Sequence, residues 1–361
     1  MSKAKYQLIA DDLREKIKTN VYPIGSVIPP ELQLQKDYQV SRYTVRQAIA
    51  LLVNEGYLRS EKGSGTYVED TFKEEKSVQK PKKTIGVITT YLSDYIFPSI
   101  IRGIEQKLRE SGYSLLLAST NNNYALEKES LEKMIDYGVD GLIVEPTKSN
   151  QYNPNLALYV SLRENNIPMV MINAPYEELD TSFLSMDDVQ VGYLATKYLI
   201  DAGHKELLFL TKIDDLQGKY RMKGFIKACE ESFVRFSTED VLTFTTETQS
   251  EIPSQVNARL NNKSGITGIV CYNDQVASQL ITALSESGYK IPEELSIIGT
   301  DDSHLRTFGN LQITTLSHPK EQLGEDAAQW IVKTIESGEV QPNIIYPTHV
   351  VEGNSVKKSR K

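Results

Sequence analysis

SRYTVRQAIALLVNEGYL (Ser41–Leu58) decides how the N-terminal part of the chain is read. Val45, Ala48, Ile49 and Leu52 fall at i, i+3, i+4 and i+7, a single apolar stripe at the helical period. Ser41 suits the N-cap, and Gly56 suits the end of the run. Arg42 and Arg46 lie one turn apart and off the stripe. A helix with a good core face therefore turns two cations outward from its first turns.

Upstream, YQLIADDLREKIKTNVY (6–22) carries Leu8, Ile9, Leu13 and Ile17 at helical spacing. GSVIPPELQLQKDYQV (25–40) is punctuated by Gly25, Pro29 and Pro30 before a short second helix. Downstream, YLRSEKGSGTYVED (57–70) has two β-like runs around Gly63-Ser64-Gly65, a hairpin with a glycine tip. A short helix, a tight turn and a second helix with a polar start form a helix-turn-helix, whose second helix enters the major groove of DNA. The arginine fork can bond guanine O6 and N7 together, which makes Arg42 and Arg46 candidate base readers. Ser41, Tyr43 and Thr44 are candidate phosphate or methyl contacts beside them. Gly63 and Gly65 would let the hairpin backbone approach the duplex, with Lys62 adding charge there.

The charge distribution agrees with this. The 361 residues carry a net −8, which alone argues against a polyanion partner. Residues 1–83 hold 15 lysines and arginines against 11 acidic residues, whereas residues 84–361 hold 25 against 37. A mildly basic head on an acidic body places any nucleic-acid contact in the head. There is no long apolar run and no apolar leader, so neither a membrane partner nor export is expected. The two cysteines, Cys229 and Cys271, are expected as buried small hydrophobes in a reducing cytoplasm.

DTFKEEKSVQKPKK (70–83) is charged and poor in apolar residues, as in a flexible tether. The domains are thus expected at 1–70 and 84–361, with a linker over 71–83. Beyond it, apolar runs such as TIGVITT, DGLIVEP, KELLFLT and LSIIGTDD alternate with helical patterns. This is βαβ architecture with parallel sheets covered on both faces, and its length suggests two lobes. Polar side chains gather where strands end: Tyr91 and Asp94, Asn121 to Asn123, Glu145, Asn173, Asn273 and Asp274, Asp301 and Asp302. Ligands of open α/β sheets bind outside those ends. Amides, carboxylates and a few aromatics suit a polyhydroxylated ligand, each of whose hydroxyls both donates and accepts. Of the neighbours Asp301 and Asp302, one is expected to face the ligand and the other to be structural. No dinucleotide-binding or Walker glycine loop, nucleophile elbow or metal-ligand spacing of histidines is present, so neither a cofactor nor an enzyme is expected.

VIPPELQLQKDYQVSRYTVRQAIALLVNEGYLRSEKGSGTYV resembles the winged-helix DNA-binding domain of the GntR regulators. The resemblance implies that Arg42, Thr44 and Arg46 touch DNA, that Glu31 reaches DNA or the recognition helix, that Gly65 approaches the minor groove, and that Lys5 meets a phosphate. Pro30 stands where the family carries a serine or threonine, and it brings no hydroxyl. Residues 84–350 resemble the effector domain of the LacI/GalR repressors and the periplasmic sugar-binding proteins. TTYLSDYIFPSIIRGIE, LLASTNNN, DGLIVEPTKS, DDLQGKYRMKGF, CYNDQVA and GTDDSH carry that likeness. It implies a two-lobed, periplasmic-binding-protein-like α/β domain with Arg221, Asn273 and Asp301 lining a sugar cleft and His318 at a crossing between lobes. Asp94, Phe97, Glu145, Lys148 and Tyr176 are carried over as first-lobe ligand contacts. A GntR head on a LacI-type body resembles the arabinose-responsive repressors of Gram-positive bacteria. This implies a homodimer on palindromic operator DNA, with L-arabinose as effector; the alternative is the same architecture answering another sugar or a phosphosugar.

Overall fold

Val45, Ala48 and Leu52 are fully buried and Ile49 is 7% exposed, so the apolar stripe is the core face of a helix. A computed structural model describes residues 5–61, 65–69, 83–93, 95–262 and 265–358, apart from the side chain of Asn54. The 71–83 linker, except Lys83, lies outside the described residues, as do Lys62, Gly63 and Asp94. The chain forms two compact units, Met1–Lys80 and Pro81–Lys361.

In the first unit, α1 (Lys5–Lys18), α2 (Glu31–Tyr38) and α3 (Arg42–Asn54) precede an antiparallel hairpin of β1 (Leu58–Glu61) and β2 (Gly65–Val68). Ile9, Ala10, Leu13 and Ile17 of α1 meet Leu34, the α3 stripe, Leu58 and Val68 in one core. Leu8 is instead 53% exposed. It lies off the line through residues 9, 13 and 17, and the smaller Ala10 fills the place on the core side. Gln39 ends α2 in the left-handed conformation (φ 51°), which makes the tight turn into α3. Ser41 caps α3 by accepting the Thr44 N–H at 3.2 Å. Pro30 precedes α2 without a side-chain cap.

The second unit alternates strands and helices: β3 (Thr84–Thr89), α4 (Phe97–Glu110), β4 (Ser114–Ser119), α5 (Tyr124–Tyr137), β5 (Gly141–Val144), α6 (Leu156–Glu164), β6 (Met169–Ile172) and β7 (Phe183–Met186). Then come α7 (Asp188–Asp201), β8 (Leu207–Lys212), α8 (Leu216–Glu231), β9 (Val241–Phe244), α9 (Ile252–Asn262), β10 (Gly268–Val270), α10 (Asp274–Glu286) and β11 (Ser296–Ile298). The short strands β12 (Thr307–Phe308), β13 (Leu311–Gln312) and β14 (Thr315–Leu316) lead to α11 (Lys320–Ser337), β15 (Ile344–Tyr346) and β16 (Val350–Val351).

Two parallel sheets result, with orders β15-β7-β6-β5-β3-β4 and β11-β10-β8-β9. Both faces of each are covered. Ile85 and Val87 pack into one core while Ile88 packs into another; in β8, Leu207 and Phe209 divide likewise from Leu208 and Leu210. The sheets form two lobes. The chain crosses between them after β7, between β14 and α11, and after β15. Cys229 and Cys271 are buried and unbridged. Among the described residues, no helix is long and apolar enough to cross a membrane.

Candidate DNA face and interlobe cleft

On the head, the first turns of α3 stand out from the core. The Arg42 and Arg46 side chains are 59% and 60% exposed. Both are held by Glu31 at the start of α2. Arg42 Nε donates to Oε2 at 2.8 Å, and Arg46 Nε donates to Oε1 at 3.0 Å. The hydrogen bond from Arg42, joined by Arg46, holds the Glu31 carboxyl below the ordinary carboxylate range. One carboxylate on the first helix of the motif thus ties down both cations of the second. Tyr43 projects into solvent beside them, and Ser41 Oγ and Thr44 Oγ1 lie 2.9 Å apart at the helix start. Lys5 is exposed at the first position of α1. Gly65 opens β2 at φ 137°, and a Cβ there would lie 3.1 Å from Val27 Cγ1, so hairpin geometry by itself favours glycine.

In the second unit, a cavity of about 640 Å³ lies between the lobes. Tyr91, Phe97, Glu145, Asn173, Arg221, Asn273, Asp301 and His318 all line it. Arg221 is positioned by close packing of α7 on α8. A Cβ on Gly192 would come 2.0 Å from the Arg221 carbonyl oxygen, and one on Gly224 would come 2.1 Å from that of Val189. At that distance Arg221 Nε donates to Asp188 Oδ1 at 2.9 Å and Nη1 to the Tyr272 carbonyl at 2.6 Å. Its guanidinium lies 4.9 Å from the Tyr272 ring centroid. Nη2 and His318 Nδ1 each lie 3.6 Å from Asp301 Oδ1. Burial pushes the Asp301 carboxyl up, but Arg221 and His318 more than offset this, and it stays ionised below the ordinary range.

The buried His318 ring has no hydrogen-bond partner for either nitrogen among the described residues. Gln217 Oε1 also lacks one. On the other wall, Glu145 accepts the Thr90 N–H at 2.9 Å and Asn173 Nδ2 at 2.7 Å. Tyr91 and Phe97 form a tilted aromatic pair, centroids 5.8 Å apart. The cleft therefore joins a charged wall, an amide-carboxylate wall and an apolar face.

Two expected contacts lie elsewhere. Tyr176 does not line the cavity. It is fully buried, donating to Glu127 Oε1 at 2.5 Å and receiving the Thr147 N–H at 2.7 Å. Glu127 is a buried carboxylate that Tyr159, Asn153 and Asn155 also satisfy, and Tyr176 is drawn inward to complete that shell. Lys148 is likewise not a lining side chain; its ammonium bonds to Glu247 of the opposite lobe, which does line the cavity. Among the strand-end asparagines, Asn122 faces the cavity and Asn123 caps α5. Asn273 both lines the cleft and caps α10. Asp302 pairs with Arg306 at 2.7 Å, away from the cavity. Asp301 and Asp302 are not on a strand: β11 ends at Ile298, and both residues have positive φ (94° and 43°). Their opposite directions come from that turn.

Sequence reasoning overlooked Tyr95, Asp188, Lys212, Asp215, Gln217 and Tyr272. Some signal for them exists. Lys212 and Asp215 follow β8, where the strand-end rule applies. Gln217 precedes Arg221 by one helical turn. Tyr272 precedes Asn273.

A model of bacterial regulatory proteins of the gntR family matches residues 5–68, and one of a periplasmic binding protein-like domain matches residues 196–356. The arabinose metabolism transcriptional repressor of Halalkalibacterium halodurans is 43% identical over 99% of this chain and 97% of its own length. The repressor of the same description from Geobacillus stearothermophilus is 44% identical, covering 98% of each chain. The body has the fold of a LacI family transcriptional regulator from Enterococcus faecium solved with bound ribose. That match has a TM-score of 0.67 at 24% identity, covering 77% of this chain and all of that one. With a GntR-type winged helix-turn-helix and a two-lobed periplasmic-binding-protein-like body, the chain belongs to the family of arabinose metabolism transcriptional repressors.

Proposed function

We propose that this repressor holds a palindromic operator as a cytoplasmic homodimer and releases it when L-arabinose fills the interlobe cleft. Arg42 and Arg46 read base edges, with Ser41, Tyr43, Thr44 and Lys5 on the backbone side and Lys62, Gly63 and Gly65 at the hairpin. Each head is short for two half-sites, so a two-fold pair of heads fits a palindrome. The sugar is held and not turned over. Arg221, Asp301, His318 and Asn273 bind from one side, and Glu145 and Asn173 from the other. Tyr91 and Phe97 offer an apolar surface to the C–H face of the ring, and Asp94 is a further first-lobe contact.

The observation that carries this reading is the His318 ring. It is buried, faces an ionised Asp301 and an Arg221 already committed to Asp188, and among the described residues neither ring nitrogen has a hydrogen-bond partner. A sugar hydroxyl both donates and accepts, and can satisfy such a group. A ligand that binds only the folded state raises the melting temperature as its concentration exceeds Kd. In a panel of pentoses, hexoses, disaccharides and phosphosugars, L-arabinose should give the largest rise. A rise with another sugar and none with L-arabinose would overturn the effector while leaving the architecture intact.

A further inference from the structure

Tyr95 precedes α4 in the first lobe, yet among the described residues the hydroxyl bonds to Thr300, Asp301 and Asp274, all of the second. The hydroxyl lies 2.5 Å from Asp301 Oδ2 and 3.0 Å from the Thr300 carbonyl, and it receives the Asp274 N–H at 3.2 Å. The residue is buried and its φ is 62°, a left-handed backbone that a bulky side chain rarely adopts. Such a conformation persists only where surrounding contacts over-determine it, and it concentrates at ligand clamps. Asp301, its main partner, is also left-handed.

We infer that Tyr95 is a positioning residue that fixes Asp301 for the ligand and does so only when the lobes are closed. Its hydroxyl occupies Oδ2, so Oδ1 is the oxygen left toward Arg221 and His318. Opening the lobes would withdraw the hydroxyl from Asp301, from Thr300 and from the first turn of α10 together. The carboxylate then loses its fixed orientation at the moment the cleft opens, and a ligand held by Oδ1 favours closure through Tyr95 as well as through its own contacts. This inference rests on the sugar reading of the cleft only for its affinity readout.

The test combines two measurements on the full chain. Spin labels on Lys133→Cys of the first lobe and Ser254→Cys of the second report the interlobe distance, because the native cysteines are buried. Calorimetry with L-arabinose reports affinity for wild type, Tyr95→Phe, Asp301→Asn and the double variant. Tyr95→Phe should lengthen the interlobe distance in the free protein and weaken sugar binding roughly ten- to hundredfold, the size of a lost hydrogen bond to a charged group. If Tyr95 acts through Asp301, the double variant should bind little worse than Asp301→Asn alone. Tyr95→Asn, which tolerates a left-handed backbone, serves if the phenylalanine variant folds poorly. An unchanged distance, or two substitutions whose effects multiply, would overturn the inference. If wild type binds no L-arabinose, the sugar reading fails, and the distance measurement still decides the role of Tyr95.

Discussion

Glu31 holds Arg42 and Arg46 through their Nε atoms, and among the described residues the Nη groups at the tip of each fork have no partner. Those tips are the atoms a guanine would meet. Arg46→Ala should cost about 1–3 kcal/mol in operator binding and relax preference at one base position. Equal affinity of the variant for cognate and altered operators in competition binding would bear this out, whereas undiminished affinity and selectivity would reduce Arg46 to a solvated cation. Asp274 carries a second residue-scale prediction. Burial raises its carboxyl to about 7, although Thr315 and Ser303 donate to it. The unfolded value is 3.8, so between the two the folded state keeps a proton the unfolded chain has lost. Stability from this group is therefore full below the unfolded value and is lost as pH rises toward 7, at no more than about 1.4 kcal/mol per pH unit. Asp274→Asn should melt progressively higher relative to wild type from pH 5 to 7, with a constant difference above; a difference independent of pH would contradict it. At this scale the sequence was informative about which segments face the cleft and less so about individual side chains. Arg221, Asn273, Asp301 and His318 line the cavity, whereas Tyr176 turns away because a buried Glu127 needs its hydroxyl. No spacing rule contains that requirement, which arises only when residues far apart in the chain are packed together.

The elements that bear the site depend on close packing at a few small residues. Gly192 and Gly224 let α7 and α8 approach until backbone meets backbone, and this sets where Arg221 reaches Asp188. Gly192→Ala would place a Cβ 2.0 Å from the Arg221 carbonyl, so the helices must separate. The expected cost is about 1–3 kcal/mol of stability, with weaker sugar binding as Arg221 is displaced. Thermal melting and calorimetry on one preparation check both effects; an unchanged melting temperature would contradict the packing argument. Long helices and continuous apolar strands were legible because their periods differ, as in α3, β3 and β8. β7 (FLSM) and β9 (VLTF) are short and mix polar with apolar residues, so neither period is established. α11 was overlooked although Leu323, Ala327 and Ile331 follow one face. β15 joins the first sheet from beyond α11, a return that local pattern does not encode.

At the scale of the whole molecule, two physically different recognitions sit in two compact units of one chain. The head presents exposed cations, and the body encloses a polar cleft. The change from net basic to net acidic near residue 83 already separated them in sequence. If effector and operator act on the same equilibrium, each must change the affinity of the other by one common factor. The most direct test is a fluorescence-anisotropy titration of a palindromic operator fragment with and without L-arabinose at fixed salt, since salt sets much of the affinity. It should be paired with calorimetry of L-arabinose with and without operator. The account predicts tight operator binding that L-arabinose weakens, and sugar binding that operator weakens by the same factor. Operator affinity indifferent to the sugar, or two factors that disagree, would contradict it.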